Sequence, residues 1–180
     1  MKSQMLRFKS AIIRENEMWC VPRVMNWLFK ISLDDWTIKS ICDLGLDDEL
    51  HIEYVYQYQN SIWCIASKGE NIVSYNVITG EIEHFVMESN DQNKRGAVLF
   101  NEKLWIIPIK LPGEMVLFDI KKKEFMVYDQ WKKECVRKKI KGKNVSFCHA
   151  ENKIYLAMKD ECKIVCFDLR KGIMEVKTLP

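Results

Sequence analysis

A chain of 180 residues, 48% apolar and 29% charged, has the length and residue usage of one globular unit with a sizeable core. Its longest unbroken apolar run, residues 104–109, is six residues and includes Pro108; a membrane-crossing helix needs ~20, so a helical span is excluded. The formal net charge of +3 is small, so any electrostatic attraction must come from local clustering.

The first nine residues, MKSQMLRFK, break their apolar positions with charges before a signal-like apolar stretch forms, so no export is expected. Four blocks then follow. The first, residues 8–43, opens with an apolar segment, turns at Asn16, continues through Trp19-Cys20-Val21, and closes a third strand on Ile31-Ser32-Leu33. The second, residues 52–88, repeats this with Asn60, Trp63-Cys64-Ile65 and Tyr75-Asn76-Val77, then Gly80 and a mixed strand over 81–86. The third, residues 96–130, has Asn101, Trp105, Phe118-Asp119-Ile120 and a last strand over 123–128. The fourth, residues 145–179, has Asn152, Tyr155, Phe167-Asp168-Leu169 and Gly172.

The leading aromatics Trp19, Trp63, Trp105 and Tyr155 are 44, 42 and 50 residues apart. A period of ~40–50 residues holding several short strands marks a β-propeller. The expected fold is therefore all-β: one domain over 1–180, made of four four-stranded antiparallel blades, an incomplete or small ring. The recurring aromatics read as packing between blades. The fourth strand of each block mixes polar with apolar residues and reads as the solvated outer edge. Gly80 and Gly172 sit where a tight turn needs positive φ. No segment reads as an amphipathic helix, and the stretch around residues 129–143 reads as a long connection.

On these motifs the chain resembles the kelch-like β-propellers, whose four-stranded blades surround a central channel. It departs from their pattern in lacking paired glycines after the second strand: Pro22-Arg23, Ala66-Ser67, Pro108-Ile109 and Met158-Lys159 stand there. Kelch relatives usually have six or seven blades. Three readings follow: a compact four-bladed ring, a fragment of a larger ring, or a half-ring completed by a second copy as a homodimer.

Seven cysteines, with no Cys-x-x-Cys pair, read as free thiols in a reducing cytosol, so the expected location is cytoplasmic. Cys162-x-x-x-Cys166 lacks a nearby histidine to support zinc. The histidines His51, His84 and His149 share no metal spacing, and no nucleophile elbow, zinc-protease motif or phosphate-cradling loop occurs. No catalytic residue, metal or cofactor is assigned.

What stands out is charge. Residues 121–143 hold ten basic residues against three acids, a local balance of +7, so the rest of the chain carries −4. In propellers this connection emerges beside the loops between second and third strands, here near Arg23, Lys68 and Lys110. The candidate partner-binding residues are therefore Arg23, Lys68, Lys110, Trp131, Arg137, Lys138, Lys139 and Lys141, facing an acidic protein surface. Nucleic acid is disfavoured, because stacking aromatics are not interleaved with the bases. The expected function is a non-enzymatic interaction scaffold. The alternative is a carbohydrate-binding or carbohydrate-modifying propeller, which would need convergent carboxylates on the innermost strands.

Overall fold

The computed structural model describes residues 7–47, 50–66, 71–87, 94–159 and 162–180. The chain divides into two compact units, Met1–Ser89 and Asn90–Pro180, each with its own hydrophobic core. The first unit holds two antiparallel sheets in sequence order: β1 (Phe8–Arg14), β2 (Glu17–Pro22), β3 (Trp27–Ser32) and β4 (Ile38–Asp43), then β5 (Ile52–Tyr58), β6 (Ser61–Ala66), β7 (Asn71–Asn76) and β8 (Ile82–Val86). In the second unit, β9 (Lys94–Phe100), β10 (Lys103–Pro108), β12 (Val116–Asp119) and β13 (Glu124–Val127) form one sheet. The short β11 (Lys110–Leu111) leaves that block to pair with β14 (Gly142–Ala150), which continues through β15 (Lys153–Met158), β16 (Lys163–Asp168) and β17 (Ile173–Thr178).

Two expectations are corrected. The last sheet has five strands rather than four, because β11 adds to its β14 edge. The connection between the third and fourth sheets contains a helix, α1 (Asp129–Arg137). Its buried side consists of Trp131, Glu134 and Cys135, spaced three to four residues apart as a helix face requires. With a carboxylate on that side, its apolar stripe is too thin to stand out in sequence.

The repeated aromatic-polar-aliphatic triplet has a common structural job. Its polar residue anchors the turn after the third strand: Asn76 Oδ1 accepts the N–H groups of Ile78 (2.9 Å) and Thr79 (3.2 Å). Asp119 Oδ1 accepts from Lys121 and Lys122 at 3.1 Å each, and Asp168 Oδ1 from Arg170 and Lys171 at 2.9 Å each. Ser32 Oγ accepts one such bond, from Asp34 N–H at 3.3 Å. Short polar side chains are favoured here because they reach backbone two and three residues ahead. The aliphatic residue ties the turn to the neighbouring hairpin: Leu33, Val77, Ile120 and Leu169 donate N–H to the carbonyls of Asn16, Asn60, Glu102 and Asn152 at 2.7–3.0 Å. Gly80 (φ +76°) and Gly172 (φ +67°) close two of these turns in the left-handed conformation.

Within each unit the aromatic side of one sheet covers the opposite side of the next. Trp19, Val21 and Leu28 pack on Val55, Ile62, Cys64 and Val73, and Val98, Trp105 and Leu117 on Ile154, Leu156, Val165 and Phe167. Trp19 and Trp105 are buried against the next sheet of their own units, as inter-blade packing requires, while Trp63 is buried and Tyr155 half-buried. The first strands β1 and β5 lie side by side, bridged by Ser10 Oγ accepting Val55 N–H (3.2 Å) and by a Lys9–Glu53 ion pair at 2.7 Å. The fourth strands β4, β8 and β13 are largely exposed, as is most of β17.

Candidate partner-binding surface

Helix α1 begins where β13 ends, and its sequence sets which side chains it keeps. Trp131 is 0% exposed, its ring 5.1 Å from that of Phe167 in an edge-to-face contact. This corrects its assignment as a partner contact, since a wholly buried indole packs α1 onto β16 and cannot meet another molecule. Its Nε1 has no hydrogen-bond partner among the described residues.

Glu134, 6% exposed, locks the helix in place. Its carboxylate receives Arg137 Nε and Nη2, each at 2.7 Å, and the Met174 backbone N–H of β17 at 2.9 Å. The Arg137 hydrogen bonds hold its pKa down to about 2 against the opposing effect of burial, with the Met174 N–H and the nearby positive charges helping. The same pairing raises the Arg137 pKa. Arg137 is thus half exposed yet engaged within its own helix.

The helix stops as Lys138, Lys139 and Ile140 donate N–H groups back to Glu134, Val136 and Cys135 at 2.9–3.0 Å, with Lys139 at φ +54° and Ile140 buried. A left-handed residue after the last turn is a common helix end. Arg137, Lys138 and Lys139 also suit the negative end of the helix dipole. Lys141 follows, exposed, and leads into β14.

Here β11 matters. Its register sets Lys110 directly opposite Lys143, and Leu111 opposite Gly142. Lys159 donates its N–H to the Lys143 carbonyl at 2.8 Å, so it joins the same end of the sheet. The loop that turns Lys110 toward β14 is tight at Gly113, where a Cβ would come within 2.4 Å of the Lys110 carbonyl oxygen. Lys110, Lys138, Lys139, Lys141, Lys143 and Lys159 are all exposed, and none forms an ion pair with a described residue.

The remaining basic residues divide. Lys121, Lys122 and Lys123 lie in the turn before β13, at the opposite end of that strand from the helix, and Lys121 pairs with Glu102 at 2.6 Å. Lys132 and Lys133 line, with Asp129, Val136 and Arg137, an open depression of about 540 Å³ on the outer side of α1. Arg23 is exposed after β2 in the first unit, and Lys68 lies outside the described residues. Reading the sequence overlooked Lys143 and Lys159 as members of the cluster, because strand pairing rather than proximity in sequence assembles it. It also passed over Glu53 on the innermost strands. Among the described residues no group of three or more histidine, cysteine, aspartate or glutamate side chains could hold a metal. No described helix is long and apolar enough to cross a membrane.

No family model and no curated protein matches the sequence. Solved structures do. Virginiamycin B lyase from Staphylococcus aureus matches over 100% of this chain and 58% of its own at 12% identity, with a TM-score of 0.71. The Neurospora crassa Pan2 WD40 domain matches over 96% of this chain and 50% of its own at 8% identity, TM-score 0.67. The computationally designed Ika4 protein matches over 100% of this chain and 96% of its own at 10% identity, TM-score 0.61. The chain therefore spans a little over half of the lyase and half of the Pan2 structure, nearly all of the designed protein, and has the β-propeller fold.

Proposed function

We propose that this chain, as a single kelch-like propeller domain over 1–180, is a non-enzymatic scaffold that binds an acidic protein surface. The contact residues in the second unit are Lys110, Lys138, Lys139, Lys141, Lys143 and Lys159; Arg23 and Lys68 are candidates on their charge alone. One observation carries the reading: Lys110 faces Lys143 directly across an antiparallel pair. Like charges placed so are destabilising, and no described acid relieves them. An acidic partner removes that repulsion on binding.

The carbohydrate-modifying alternative has less support. Hydrolysis of a glycoside calls for two facing carboxylates. The first strands β1, β5, β9 and β14 carry one, Glu53, and it is tied to Lys9.

The test is charge reversal. The Lys138→Glu, Lys139→Glu, Lys141→Glu triple variant should melt as the original does, because exposed charges contribute little to folding. It should lose capture of acidic proteins from a cytosolic extract, and the original's capture should weaken with salt. Recovery of the same partners by both proteins would place the binding site elsewhere.

A further inference from the structure

The first sheet carries an apolar face whose buried centre, Cys20, Phe29 and Ile31 with Met18, clusters with no other described sheet. Two cross-strand rows, read from the register, run over all four strands of it: Ala11–Cys20–Phe29–Ile41 and Ile13–Met18–Ile31–Ile38. Residues directly opposite in an antiparallel pair share a face, so every side chain in both rows lies on the side away from Trp19 and the second sheet. The centre is closed by small local contacts. Phe29 is flanked by Phe8 and Trp27, with ring centroids at 6.0 and 6.4 Å. The margin stays open, with Ile13 66%, Ile38 52%, Ile41 52%, Phe8 40% and Trp27 39% exposed.

The repeat says what belongs there. Met18, Cys20, Phe29 and Ile31 correspond to Ile62, Cys64, Val73 and Tyr75 in the second sheet, and to Ile154, Leu156, Val165 and Phe167 in the last. In both of those sheets this side is covered by the aromatic side of the preceding blade. Ile38, opposite Ile31, is 52% exposed; its counterpart Met174, opposite Phe167, is 0% exposed. The natural occupant is therefore the aromatic side of another blade.

The last sheet of this chain presents such a side with an exposed rim. Its aromatic row runs Cys148–Tyr155–Cys166–Glu175, and the row beside it Ser146–Ala157–Ile164–Lys177. The outer members of both rows are exposed, and Cys166 and Glu175 border a hollow of about 120 Å³ on this side. We propose that a second copy of the chain docks here, the Tyr155 side of one copy's last blade packing on the Ile13–Ile38–Ile41 side of the other's first blade. The pairing is heterologous, two unlike faces meeting. It is independent of the basic surface.

The experiment is mass in solution, by sedimentation or light scattering at tens of micromolar, for the full chain and two variants. The original should self-associate. Ile41→Lys and Ile164→Lys should each be monomers, and an equimolar mixture of the two should form a dimer, since one intact pair of faces remains. A monomeric original would overturn the proposal and leave the face to a preceding segment of a longer polypeptide. Self-association unaffected by Ile41→Lys would also overturn it. So would failure of the mixture to associate, which would mean that each face pairs with itself. Melting curves check folding, and Ile38→Lys replaces Ile41→Lys if the latter does not fold.

Discussion

Removing Glu134 tests whether α1 is a structural part of the last blade or merely a charged connector. Glu134→Ala leaves the Met174 N–H, now without its 2.9 Å acceptor, buried at the helix–strand junction. A buried donor left unsatisfied costs about 1–3 kcal/mol, and the solvent-screened pair with half-exposed Arg137 adds little to that. Glu134→Gln keeps an acceptor for Met174 and should cost less. The two proteins should also differ in their response to acid. The native carboxyl is held to about 2, below its ordinary value, so the stabilisation from Glu134 is fully present above that ordinary value and lost as pH falls toward about 2. The stability gap between the original and Glu134→Gln should therefore be wider at pH 7 than at pH 3. Urea unfolding at both pH values measures this. A Glu134→Ala protein within about 0.5 kcal/mol of the original at pH 7 would refute the structural role, 0.5 being the usual range of neutral surface changes. A gap unchanged by acid would refute the pairing.

Trp105→Ala should destabilise by about 3–5 kcal/mol in denaturant, since it empties a core site edged by Tyr128 at 5.0 Å and breaks the indole bond to the Phe100 carbonyl; equal stability would argue against inter-blade packing. Exposed Cys162 should react quickly with a thiol reagent in the native protein. Cys20, Cys64 and Cys135, with pKa values pushed up by burial to about 11, 12 and 12, should wait for unfolding; rapid native labelling of all seven would contradict the core described. Gly113→Ala should shift the loop carrying Lys110, because the new Cβ would also come within 2.8 Å of Pro108 Cβ. Its expected signature is weaker binding to acidic ligands, together with a loss of order 1–3 kcal/mol in stability; original affinity would show that Lys110 is not placed by this turn.

The blades were legible in the sequence because their turns are. Asn76, Asp119 and Asp168 each satisfy two backbone N–H groups two and three residues ahead, a local demand that repeats with the fold and so leaves a repeated letter. The buried tryptophans follow from the same period. What escaped is non-local. β11 is two residues long, with no alternation to read, and only its partner in β14 makes it a strand. Trp131 looked like a loop aromatic among lysines, because the side of α1 that buries it also holds Glu134, whose charge hides the apolar stripe. The basic cluster was half visible: the run from Arg137 to Lys141 is plain in sequence, whereas Lys143 and Lys159 join Lys110 only through sheet register and a loop hydrogen bond.

The most direct test of the proposed function is residue-by-residue mapping of an acidic ligand. Backbone amide NMR shifts, followed while a poly-glutamate peptide is titrated into the protein at low salt and again at physiological salt, report which residues meet the charge. The proposed function predicts saturable shifts centred on Lys110, Lys138–Lys143 and Lys159 that shrink as salt rises. Shifts centred on the Lys121–Lys123 turn, or spread evenly over every exposed lysine, would contradict it.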